Sequence, residues 1–366
     1  MPALFGQQAE LKRLVAESQR LRALKTPSKR ASWTELKDLL RDWIESRLPG
    51  NSAELNAAFP GLEARMTAEL SRAGLLEPET LDPMTTGYVP PLKLLRPAEI
   101  PGALIVQAGI SVPCGDDESI YVYRFSPKGR DRLLEEHGKH DFGDYVVGMQ
   151  FSVPGASGSR MFYAAWNGVQ CESNWGELDY RLFRLTSGNA ATLVFSDSRS
   201  YRRDEPVHVR LTPHELLLEF TSYALEGGFT RTHVLHYAIH RAGVQRIDPV
   251  ALDPQDFVDE WFRGPWSEMQ SRSASGLAKW QTLLHDYTAE YQFVQPCQDR
   301  AGATQVALHL MKTNSDELPQ PLTVYSLVRD KGDHRYEMQD IGYIRQSGCP
   351  GETQADYDHL PSLFKK

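Results

Sequence analysis

Three acids stand in a row at Asp116, Asp117 and Glu118, just after Cys114. Clustered carboxylates suit calcium or magnesium, which take six or more oxygen ligands. The run lacks the spaced Asp/Asn pattern of an EF-hand loop. A second acidic stretch, Cys171-Glu-Ser-Asn-Trp-Gly-Glu177, sets Glu172 and Glu177 around Trp175. Two carboxylates flanking one bond are the equipment of a glycan hydrolase, and an exposed aromatic ring can stack on a sugar or anchor a protein partner. Asp116, Asp117, Glu118, Glu172, Trp175 and Glu177 are therefore the candidate ligand-binding residues. The plain alternative is that surface loops are polar everywhere. No residue is assigned a catalytic role.

Histidines gather at 208, 214, 233, 236 and 240. His236 and His240 share parity on one strand, and with His208 on a neighbour they could form a three-histidine metal site. Hydrogen-bonded core or surface histidines explain the same pattern, so these are weak candidates and no metal is assigned. The glycine-rich dinucleotide and phosphate loops, the zinc-protease helix and the nucleophile elbow are absent from the sequence. No cofactor is evident. Cysteines at 114, 171, 297 and 349 form no CxxC pair. Two disulfides or four free thiols both fit. One pairing joins Cys114 to Cys171 and leaves Cys297 for Cys349.

A net charge of −8 argues against nucleic acid as the main partner, because phosphate binding needs a basic surface. No apolar run approaches the ~20 residues that span a bilayer. The opening Met1-Pro-Ala-Leu-Phe-Gly lacks the apolar core of a secretory signal. A cytoplasmic location is expected if Met1 is the native start, and an extracytoplasmic one if a leader precedes it. The partner is then an unidentified protein or glycan.

The elements that must position these residues are mostly strands. Four hairpins repeat along the chain: Ile120–Phe125 into Asp131–Leu134, Tyr180–Leu185 into Ala191–Phe195, Val234–His240 into Val244–Ile247, and Leu322–Val328 into His334–Met338. Two further strands precede each. The nearer ones are Leu104–Val112, Met161–Val169, Glu215–Tyr223 and Val306–Lys312. The farther ones are Leu92–Leu95, Tyr145–Val153, Val207–Leu211 and Tyr291–Val294. The connection before each hairpin carries carboxylates, so a ring of such units would gather them at one acidic end.

Residues 1–76 read as helical, with a capping box at Ser32 and Glu35. Residues 77–91, rich in proline, read as a linker. Residues 92–348 make the four-repeat domain, and 349–366 a tail. The long interval before the last hairpin is explained by a helical insertion over 252–289, whose apolar face carries Phe257, Val258, Trp261 and Phe262.

The expected fold is mainly β: a four-bladed β-propeller-like repeat domain with a helical N-terminal region and an α-helical insertion between repeats three and four. A β-sandwich is the alternative. The expected function is binding or scaffolding through the acidic end. A glycan-directed hydrolase using the loop carboxylates and a metal-dependent enzyme using the third-repeat histidines are the rivals.

Overall fold

The computed structural model describes residues 2–22, 30–75, 92–112, 115–139, 144–155, 159–168, 173–186, 190–225, 230–284, 287–297, 302–312, 322–345 and 349. The chain is mainly β. Four antiparallel sheets each use four strands in consecutive order, with no crossover. The first is β1 (Leu92–Leu95), β2 (Ala103–Val112), β3 (Gly115–Ser126) and β4 (Gly129–His137). The second is β5 (Asp144–Phe151), β6 (Arg160–Gly168), β7 (Trp175–Leu185) and β8 (Thr192–Arg202). The third is β9 (His208–Leu211), β10 (Glu215–Tyr223), β11 (Thr230–Ile239) and β12 (Val244–Arg246). The fourth is β13 (Tyr287–Pro296), β14 (Ala303–Lys312), β15 (Leu322–Asp330) and β16 (Tyr336–Gly342). The chain divides into two compact units, Met1–Arg199 and Ser200–Lys366.

In the first unit, helices α1 (Pro2–Arg22), α2 (Arg30–Arg47) and α3 (Ser52–Arg72) precede the sheets. The expected capping box at Ser32 is not the start of α2, which opens two residues earlier. The box sits on α3 instead: Asn51 Oδ1 accepts from Glu54 N–H at 3.0 Å, and Glu54 Oε2 accepts from Gly50 N–H at 2.8 Å. Residues 77–91, expected as a linker, lie outside the described residues.

Alternation along β2 sends its side chains to two different neighbours. Leu104, Val106 and Ala108 join Trp33, Leu36, Leu40 and Trp43 of α2 in one core. Ala103 and Ile105 join Phe162, Trp166 and Phe183 of the second sheet in another. Helices therefore cover one face of the first sheet and a second sheet covers the other. Arg130 of β4 fastens the end of α2, donating to the carbonyls of Glu45, Leu48 and Pro49 at 2.9–3.1 Å. Glu45 is in the last turn of the helix, whose carbonyls have no partner within it, and Leu48 and Pro49 directly follow the helix.

In the second unit, α4 (Pro254–Arg263) begins at Asp253, whose side chain accepts from Asp256 N–H. Phe257, Val258, Trp261 and Phe262 lie in one core with Val306, Leu308, Val324 and Met338 of the fourth sheet. A short α5 (Trp266–Met269) and α6 (Ala278–Leu284) follow. The last hairpin turns through Gly332, Asp333 and His334, all with positive φ, so β16 starts later than expected, at Tyr336. A disulfide joins Cys297, which follows β13, to Cys349. Cys114 and Cys171 lie outside the described residues.

Candidate functional site

The meanders of the first unit bring matching ends of two sheets together: the starts of β3, β5 and β7 with the ends of β4 and β6. The acidic run lies here, but not in a loop. Asp116, Asp117 and Glu118 are in β3, in register with Ser111, Ile110 and Gly109 of β2. Backbone pairing carries the strand through all three acids. Glu118 is buried, and its Oε2 accepts from Gln107 Nε2 at 2.9 Å and from Val146 N–H at 2.6 Å, tying β3 to β5. Asp117 is also buried, with Lys37 Nζ of α2 at 3.2 Å from its Oδ1. Burial pushes the Asp117 carboxyl up to about 6; Lys37 works against this, and nearby Asp144, itself buried, adds to it.

Around this pair the remaining charges are matched. Arg181 of β7 binds Glu136 Oε2 and Asp179 Oδ2, both at 2.6 Å, and donates to the His137 carbonyl at 2.8 Å. Its guanidinium lies 5.1 Å from the centre of the Trp166 ring. Lys139 reaches Glu177 at 2.6 Å and Ser198 Oγ at 3.1 Å. Among the described residues of this end, Lys37, Arg181 and Lys139 meet Asp117, Glu136, Asp179 and Glu177, and Asp117 and Glu118 are buried. Glu177 and Trp175 stay half-buried. Trp166 and Tyr163 are fully buried core residues. Glu172 lies outside the described residues, and so do the acids expected before the third and fourth hairpins.

The three candidate metal histidines are not assembled. His208 is exposed on β9, in register with Glu219 of β10, whereas His236 of β11 is in register with Leu217 of β10. His236 Nδ1–H donates to the Asp248 carbonyl at 2.8 Å. His240 follows the end of β11 and is exposed. Among the described residues no three side chains converge as metal ligands. The intervening strand β10 and the use of His236 as a hydrogen-bond donor account for the correction.

The densest charge cluster is one that the sequence reading did not single out. On α4, Asp256, Asp259 and Glu260 share a face opposite the apolar one, and all three are buried. Glu260 Oε1 meets Arg231 Nη2 at 2.7 Å and His233 Nδ1 at 2.6 Å, while its Oε2 meets Arg246 Nη2 at 2.6 Å. Asp259 Oδ2 accepts from Arg231 Nε at 2.6 Å, and its Oδ1 accepts from Leu225 N–H. Burial raises the Glu260 carboxyl, but Arg246, His233 and Arg231 together hold it well below the usual range. The signal was present: acids at i, i+3 and i+4 repel on one helix face unless cations meet them.

No family model matches the chain, and no curated protein does. Among solved structures it partly superposes on the GH93 alpha-L-arabinofuranosidase of Fusarium graminearum, at 10% identity over 69% of this chain and 68% of that one, with a TM-score of 0.25. An exo-beta-1,3-galactanase from Clostridium thermocellum gives 8% identity, 69% and 49% coverage and a TM-score of 0.24. An endo-1,4-beta-xylanase from Bacteroides thetaiotaomicron gives 7% identity, 68% and 75% coverage and a TM-score of 0.21. Likeness of this degree carries no inference about activity.

Proposed function

We propose that the chain is a binding module for a carbohydrate, acting through the shared end of its first two sheets. The observation that carries the reading is the division of labour at that end. Asp117 and Glu118 are spent on holding α2 and β5 in place. Trp175 and the Lys139–Glu177 pair stand further out, with Lys139 exposed. A ring face beside a charged donor and acceptor suits a sugar, which offers apolar C–H faces and hydroxyls. For the fold, the reading takes the four sheets as successive blades of a propeller, and their uninterrupted meander order supports it.

The test is a titration of neutral and acidic oligosaccharides followed by intrinsic fluorescence. Binding should weaken at least about tenfold in Trp175→Ala, a typical loss for an aromatic anchor, with no change in melting temperature. Binding that Trp175→Ala leaves intact would place the ligand elsewhere.

One observation favours hydrolysis as a second reading. Asp117 combines a carboxyl raised to about 6 with a second carboxylate, Asp144, close enough to affect it. A general acid has this property. Because Lys37 and full burial close Asp117 off, this reading requires α2 to move. Turnover of aryl glycosides that disappears in Asp117→Asn would establish it in place of the first.

A further inference from the structure

The buried cluster between α4 and the third sheet has a proton missing from its hydrogen-bond pattern. Two arginines, Arg231 and Arg246, face three carboxylates, Asp256, Asp259 and Glu260. With every carboxylate ionised and His233 neutral, this buried set carries a net charge of −1. Two of its atoms ask for the same proton. Asp256 Oδ1 is 3.5 Å from Arg231 Nη1, but its buried Oδ2 has no hydrogen-bond partner. His233 has the Tyr223 carbonyl at 3.1 Å from Nε2, and its Nδ1 faces Glu260 Oε1 at 2.6 Å and the donor Arg231 Nη2 at 3.1 Å, so each ring nitrogen has an acceptor, which at Nδ1 is closer than the competing donor. One added proton, on either residue, balances the set.

We propose that α4 is a pH-operated latch on the third sheet: one proton shared between Asp256 and His233 neutralises the buried cluster, and its loss at mildly alkaline pH loosens the helix. The other charges around the cluster do not supply this proton's role. On the helix side these are Asp253 at the N-cap and Arg263, whose Nε is 3.7 Å from Asp259 and whose side chain is 40% exposed. From α5, Glu268 reaches Arg246 at 3.2 Å. From β11, Tyr237 lies near Arg246. From the fourth sheet, Tyr336 is near enough for Asp256 to raise its hydroxyl's pKa slightly, and that hydroxyl donates to the Leu252 carbonyl.

The directions of titration agree with a single shared proton. Burial raises Asp256 to about 8, against the pull of Arg231. Burial and Arg231 lower His233, against its hydrogen bond to Glu260. The closed latch therefore keeps the proton up to about pH 8. The open latch holds it only on a solvated histidine, up to about pH 6.5. Opening is then independent of pH just below 6.5, releases one proton between the two values, and is again independent above 8.

Hydrogen exchange of the full chain tests this. Corrected for the intrinsic rate, exchange of the α4 amides (Pro254–Arg263) should rise about thirtyfold between pH 6.5 and 8, at about tenfold per unit. The β10 amides (Glu215–Tyr223) should not follow. In Asp256→Asn the α4 rise should vanish. In His233→Gln it should begin lower, near pH 4, because the open form then has no histidine to hold the proton. A flat wild-type profile to pH 9 overturns the proposal. So does a parallel rise in β10, which would assign the proton to global stability. If the Asp256 variant does not fold, an unshifted onset in His233→Gln overturns it equally.

Discussion

Lys37 and Asp117 come from elements far apart in the chain and meet where neither could be left alone. A buried charge without its partner costs several kcal/mol, and removal of one member of such a pair typically costs about 3–5 kcal/mol. The sign of the pH effect follows from the carboxyl being raised from 3.8 to about 6. Its contribution is fully present below the lower value and is lost as pH rises through the upper one. Asp117→Asn should therefore gain on the wild type by about 3 kcal/mol between pH 4 and 6.5 and run parallel to it above, in urea unfolding read at each pH. Lys37→Met should push the loss to still higher pH. Neither partner's role was legible in the sequence. Lys37 falls in a stretch read only as helical, and Asp117 reads as a loop residue because it is acidic. His233 shows the same blindness: five histidines marked the region, and the one that matters is distinguished only by what α4 brings to it.

The elements themselves were far easier to read. Alternation located the four hairpins and the two strands before each, because a half-buried strand must alternate whichever partner covers it. Strand ends were misjudged where polar side chains continue the ladder, as in β3 from Gly115 onward. For α4, the apolar face was legible from Phe257, Val258, Trp261 and Phe262, whereas nothing in the sequence showed what its acids would meet. Those acids are what fix the helix to the third sheet. Glu260→Ala would leave Arg231 and Arg246 buried with less compensation, and should cost about 3–5 kcal/mol in chemical denaturation. Exchange at the α4 amides should rise by more than at β10. Equal rises at both would mean that α4 and the third sheet open only as one.

For the whole molecule, what the chain's composition supplied was a boundary rather than an activity. A net charge of −8 and ordinary hydropathy exclude little, and repeated meanders serve many purposes. Among the described residues no helix is long and apolar enough to cross a membrane. The covalent feature of the chain is better defined. The bond between Cys297 and Cys349 has a sequence separation of 52, and both cysteines are buried. A loop of that length restricts the unfolded chain by about 4 kcal/mol. The Cys297→Ser, Cys349→Ser double variant should lose stability of that order, and a reductant should lower the wild-type melting temperature by more than it lowers the variant's.

The same bond has a consequence for how the protein would look after damage. The strands β14, β15 and β16 all lie between its two cysteines. A protease that cuts the backbone once anywhere in that interval opens a ring and releases nothing. Both fragments stay tethered, and the three strands can keep their pairing across the cut. A nicked population would migrate as intact chain on a gel without reductant and separate into two bands only once the sulfurs part.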